Sequence, residues 1–114
     1  MGGGCGLAGR LVRGDVCLCR FKTPDKERPA VVLTRDTAIQ NLSTVTVAPV
    51  TSTIRGVDSE VRLDIDDGMK GPCVINLHNV VTIPQVWLGR RVATLSPAKM
   101  REVCTALRFS LGCA

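Results

Sequence analysis

Glu27-Arg28-Pro29-Ala30-Val31-Val32-Leu33-Thr34-Arg35-Asp36 joins a cation to a continuous, β-branched apolar run, and Val45-Thr46-Val47-Ala48-Pro49-Val50-Thr51-Ser52-Thr53 ends a second such run in three hydroxyls. Each run is of strand length and reads as a buried strand, the first over Pro29 to Thr34 and the second over Thr44 to Val50. An antiparallel pairing of the two brings Arg28 and the hydroxyls to one end of the sheet, a combination suited to phosphate chemistry. Pro49 cannot donate a ladder hydrogen bond, so the second strand is expected to end, bulge or lie at an edge there.

Outward from these runs the pattern is one of short strands. Asp15 to Phe21 alternates, and the Pro-Asp signal in Lys22 to Glu27 predicts a hairpin into the first run. Asp36 is placed to cap a short helical turn through Gln40. Val57, Ser59, Val61 and Leu63 alternate with Asp58, Glu60 and Arg62, predicting a strand with one wet face, and Asp64 to Lys70 is a polar turn. Pro72 to Leu77, Val80 to Ile83 and Arg91 to Leu95 complete the strands. Ser96 and Pro97 then open a helix whose Met100, Val103, Cys104, Leu107 and Leu111 share one face, until Gly112 stops it. The fold class is mainly β with a helix, α+β: a small twisted barrel whose open side is covered by a C-terminal amphipathic helix.

With 114 residues the chain has room for one core. Met1 to Gly9 is Gly-rich and simple, so residues 1–12 are expected to be a disordered leader before a single domain over 13–113. Gly2-Gly3-Gly4-Cys5-Gly6 is neither a phosphate loop nor an acylation signal, since no strand precedes it, no Gly-Lys-Ser/Thr follows and position 6 is not Ser or Thr. No apolar run is long enough to cross a bilayer and no secretory core is present, which predicts a cytoplasmic protein.

The net charge of +5 favours an anionic partner. Phe21, Trp87 and Phe109 are the only aromatic residues, which argues against reading bases mainly by stacking. Trp87 suits a barrel plug or a contact between copies. Cys5, Cys17, Cys19, Cys73, Cys104 and Cys113 form no CxxC pair and there is one His, so the cysteines read as free, mostly buried thiols with no metal and no cofactor.

The ordered pieces Arg13-Gly14-Asp15-Val16, Arg28-Pro29-Ala30-Val31-Val32, Val47-Ala48-Pro49-Val50-Thr51-Ser52, Gly68 to Val74, Asn79 to Ile83 and Leu95-Ser96 together resemble the MazF/PemK-type toxins. The resemblance spans Arg13 to about Cys113. It implies an SH3-like barrel, usually a homodimer, acting as the toxin of a type II toxin–antitoxin system. The implied activity is a metal-independent, sequence-specific endoribonuclease cutting single-stranded RNA, with an antitoxin bearing an acidic C-terminal tail as partner.

The resemblance carries the catalytic pair to Arg28 and Thr51, and an RNA-contacting amide in the later strand to Asn79. Lys22, Lys26, Ser52, Thr53 and Arg55 complete the expected RNA contacts, and Arg90 and Arg91 suit RNA or the antitoxin. Arg is a poor base, so Asp25 and Glu27 are the candidate acceptors of the 2′-proton, although each reads more readily as a solvated turn charge and neither matches the acidic residue that some members of the family carry in this loop. His78 reads as structural. Two alternatives remain at this level: a non-enzymatic toxin of the same fold that binds DNA gyrase, and an inactive relative that binds RNA or antitoxin.

Overall fold

The computed structural model describes residues 10–20 and 27–113. The leader expected at its start lies largely outside them, as do Lys22, Asp25 and Lys26; Leu11 and Val12, which that leader included, are half-buried, with Leu11 against the core. The elements are β1 (Asp15–Arg20), β2 (Glu27–Val32), α1 (Asp36–Ile39), β3 (Thr44–Thr51), β4 (Glu60–Leu63), β5 (Cys73–Asn76), β6 (Val81–Pro84), β7 (Leu88–Thr94) and α2 (Pro97–Leu111). The seven strands form an antiparallel sheet in the order β4-β5-β3-β2-β1-β7, with β6 on a separate stretch of β3.

The two opening stretches pair as expected, with Ala30 opposite Pro49, Val31 opposite Ala48 and Val32 opposite Val47. Their continuous apolar character reflects burial on both faces. Val31, Ala48 and Val50 enter one core with Val16, Leu63, Ile75 and Leu95, whereas Ala30, Val32, Val45 and Val47 enter a second with Cys19, Ile83 and Leu88. Helix α2 closes the first core with Met100, Val103 and Ala106. The result is a small barrel-like fold that hydrogen bonds do not close: among the described residues no ladder joins β4 to β7.

Pro49 neither ends β3 nor puts it at an edge. On the side away from β2, the ladder to β6 stops at Val47 opposite Val81, and the ladder to β5 begins at Val50 opposite Ile75. The residue without an N–H therefore sits where β3 changes partners, and no ladder bond is lost there. The strand can then run on to Thr51.

Other boundaries moved for identifiable reasons. β4 begins at Glu60 because the preceding residues turn, with the Glu60 N–H donating to the Val57 carbonyl at 3.0 Å. β7 starts at Leu88 rather than Arg91, since pairing of Leu88 with Cys19 draws the polar Gly89-Arg90-Arg91 into the sheet. Arg35, not Asp36, occupies the N-cap of α1; the Asp36 carboxylate accepts instead from the Arg13 N–H at 2.6 Å. For α2 the expected ends are present. The Ser96 hydroxyl accepts from the Lys99 N–H at 3.1 Å, and Gly112 takes φ +70° while the Cys113 N–H closes onto the Arg108 carbonyl.

Trp87 lies in a 3₁₀ turn over Gln85–Trp87 and is 42% exposed, so it does not plug the barrel. Cys19, Cys73, Cys104 and Cys113 are free, but Cys17 is disulfide-bonded, which corrects the expectation of thiols throughout. Strand alternation identifies a buried position; it does not say whether another sulfur meets it. No helix among the described residues is long and apolar enough to cross a membrane.

Candidate active site

The pairing of β2 with β3 ends at Ala30 opposite Pro49, and continuing that register by two residues sets Arg28 across from Thr51. Here a cavity of about 850 Å³ opens, lined by Arg28, Thr51, Ser52 and Thr53 over an apolar base that includes Leu18, Pro29, Val50 and Val92. The expected convergence of cation and hydroxyls is thus a consequence of strand register.

The three hydroxyls are not equivalent. Thr51 is half-buried at the end of β3, and its Oγ1 accepts the Thr53 N–H at 3.1 Å, whereas Ser52 and Thr53 are exposed. Accepting that bond occupies one lone pair and leaves the hydroxyl hydrogen available to donate. Thr51 is thus the one hydroxyl of the three that is both half-buried and fixed by a backbone N–H among the described contacts.

Two further cations line the same cavity: Lys70, from the turn before β5, and Arg90, from β7. In the sequence Lys70 is only the end of a polar turn. That turn is built by a capping box, in which the Asp64 N–H donates to Asp67 at 2.9 Å and the Asp67 N–H returns to the Asp64 residue. Gly68 follows at φ +93°, and a Cβ placed there would stand 2.9 Å from the Ala93 Cβ. Glycine is what lets the turn lie against β7.

Arg90 and Arg91 look alike in the sequence but have different roles in the fold. Arg91 ion-pairs with the fully buried Asp15 at 3.2 Å, whose carboxylate also accepts from the Val12 N–H and the Thr94 hydroxyl, each at 2.9 Å. Arg90, its neighbour in the strand, lines the cavity. The sequence signal for this buried carboxylate is the place of Asp15 at the head of an apolar run.

Arg28, Lys70 and Arg90 are the charged residues among the described lining of the cavity, and none forms an ion pair with another described residue. Cys73 also lines it, but burial pushes its thiol pKa up, with Asp64 and Asp67 adding to the effect, so it is neutral at physiological pH. Cationic side chains on the described lining are what an anion site requires.

Not every expected contact converges here. Asn79 is exposed in the turn between β5 and β6, not within a strand, and does not line the cavity. Arg55 is likewise exposed and outside it; its backbone N–H and that of Gly56 donate to the Glu60 carboxylate. Glu27 faces Arg20 at 3.7 Å rather than the cavity. His78 accepts or donates a 2.6 Å bond with the Ser59 hydroxyl, away from Arg28 and Thr51. Among the described residues no three His, Cys, Asp or Glu side chains converge as a metal site.

This geometry has close relatives. The chain is 40% identical over 92 residues to the probable endoribonuclease MazF2 of Mycobacterium tuberculosis, covering 80% of this chain and 90% of that protein. Identity to the endoribonuclease MazF3 of the same organism is 44% over 83 residues, or 73% and 81% of the two chains. The solved structure of the Mycobacterium tuberculosis toxin MazF-mt6 superposes with a TM-score of 0.79 at 33% identity, over 86% of this chain and 96% of that one. Residues 12–111 match the PemK-like, MazF-like toxins of type II toxin–antitoxin systems, and the chain belongs to that family.

Proposed function

We propose that this protein is the toxin of a type II toxin–antitoxin pair and acts as an endoribonuclease on single-stranded RNA, with Arg28 and Thr51 as its catalytic residues. The observation that carries this reading is that Arg28 and Thr51 line one cavity whose described charged residues are all cations. The endoribonuclease names of the relatives support it.

The chemistry follows from what these groups supply. The substrate's own 2′-hydroxyl gives its proton to water and attacks the adjacent phosphorus while the bond to the 5′-oxygen breaks and that oxygen takes a proton from water, leaving a 2′,3′-cyclic phosphate and a 5′-hydroxyl. Negative charge builds on the non-bridging oxygens. The Arg28 guanidinium offers a planar fork of donors to those oxygens, and the Thr51 hydroxyl adds a neutral donor held by Thr53. Neither step draws on a metal ion or a cofactor. Residues 13–113 act as the single catalytic domain, and Ser52, Thr53, Arg55, Asn79, Lys22 and Lys26 contribute contacts to the RNA.

The active form is a cytoplasmic homodimer, and the cognate antitoxin presents an acidic tail to this cationic face. The test is incubation of the purified protein with a long RNA in EDTA. Discrete products with 5′-hydroxyl ends, lost in Arg28→Ala, are expected. An intact RNA, or growth arrest that persists in Arg28→Ala, overturns the reading in favour of a toxin that works by binding.

A further inference from the structure

Three cations with no ion-pair partner among the described residues exceed what one scissile phosphodiester needs. A diester carries a single negative charge, and clustering Arg28, Lys70 and Arg90 in one cavity costs mutual repulsion unless anions relieve it. Their neighbours show that pairing was available to the fold: Arg91 is satisfied by Asp15, and Lys99 contacts Asp67 at 4.0 Å and Glu102 at 3.5 Å. Lys70 and Arg90 have no such partner among the described residues.

Both are also held by built supports. Lys70 follows the Asp64–Asp67 capping box and the Gly68 contact with β7, and Arg90 precedes the anchored Arg91. They enter from walls distinct from the β2–β3 end. In sheet order β7 lies two strands from β2, so the Arg90 backbone is about 10 Å from that of Arg28 at the usual strand spacing of roughly 4.8 Å. A cavity of about 850 Å³ has room for more than one phosphate.

We infer that Lys70 and Arg90 bind a phosphate neighbouring the scissile one, so that the cavity holds two successive backbone phosphates of a single strand while Arg28 and Thr51 act on one of them. This rests on the proposed function for the identity of the strand, but not for the existence of the anion locus. Lys70 and Arg90 are positioning residues here: they hold the strand and leave the reacting phosphate to the other pair.

The experiment uses the full-length protein and a fluorescent 2′-O-methyl RNA of mixed sequence, which lacks the attacking hydroxyl, so binding is read without cleavage. The logarithm of affinity is measured against that of salt concentration. Lys70→Ala and Arg90→Ala should each make the slope shallower by about 0.7, the value per phosphate contact on a single strand, and Lys70→Arg should keep the wild-type slope. Both side chains are exposed, so folding is expected to survive. An unchanged slope in either alanine variant, or no binding by the wild type, overturns the inference.

Cleavage kinetics on a mapped site then locate the contact. Loss of Lys70 or Arg90 should raise KM about tenfold with kcat little changed, whereas Arg28→Ala should lower kcat. A fall in kcat at unchanged KM for Lys70→Ala would instead put that side chain on the scissile phosphate and overturn the assignment. If the wild type cuts no RNA while both slopes flatten, the proposed function fails and the anion locus stands.

Discussion

Arg91 reaches the buried carboxylate of Asp15 at 3.2 Å across the β1–β7 ladder, joining residues 76 positions apart. The contact does more than neutralise a charge. β1 and β7 shift register on either side of Cys17, and the Asp15 carboxylate, by binding Arg91, the Thr94 hydroxyl and the Val12 N–H, ties the strands together at that irregular stretch. Arg90, next along the strand, is thereby carried to the cavity wall.

Removing one partner of this pair leaves the other buried or half-buried without compensation. Asp15→Ala should cost about 3–5 kcal/mol of folding stability, read as a lower urea midpoint at unchanged slope. Asp15→Asn, which keeps an acceptor for the Val12 N–H, should cost less. Equal stability of Asp15→Ala and wild type would show that β7 is held by its backbone ladder alone.

The Thr51 hydroxyl, fixed by the Thr53 N–H, makes a prediction about side-chain chemistry at constant shape. Thr51→Val should reduce RNA cleavage about 10²- to 10³-fold with the circular dichroism spectrum preserved, and Thr51→Ser should retain most of the rate. Wild-type activity in Thr51→Val would transfer the donor role to Ser52 or Thr53.

Gly68 and Gly71 lie on the same turn but differ in what they tolerate. Gly68→Ala meets both a left-handed backbone and the Ala93 Cβ at 2.9 Å, so it should destabilise by about 1–3 kcal/mol and weaken strand binding through Lys70. Gly71→Ala has nothing within 4 Å and should be nearly neutral in thermal denaturation. Similar melting temperatures for the two variants would remove the special role of the Gly68 contact.

Cys19 offers a pH-dependent readout. Burial, with Glu27 adding, pushes its thiol from 9.0 to about 11, so the folded state holds a proton that the unfolded chain releases first. Its contribution to stability is complete below about pH 9 and is lost as pH rises from there toward 11. Unfolding midpoints followed across that window should fall more steeply in the wild type than in Cys19→Ala. Parallel curves would show that the thiol is not linked to folding.

Much of the architecture was legible because its causes are local. The face shared by Met100, Val103 and Leu107, the Ser96 cap and the Gly112 stop depend on residues within a few positions, and α2 follows them closely. The apolar runs of β2 and β3 were readable for the same reason. Ladder extension was less so: Leu88 to Arg90 joined β7 only because β1 offered a partner, and the disulfide at Cys17 had no counterpart in strand alternation.

By itself, the sequence determined which segments are strands, where the last helix starts and stops, and that a cation and three hydroxyls stand at the ends of two buried runs, since side-chain period and capping act over a turn or a strand. Tertiary structure alone decided that register would set Arg28 across from Thr51, that Lys70 would join them, and that of two adjacent arginines Arg91 would be neutralised by Asp15 while Arg90 faced the cavity. The reason is electrostatic and geometric: whether a charge is paired or free depends on what lies within about 4 Å of it in space, a distance that separation along the chain does not encode.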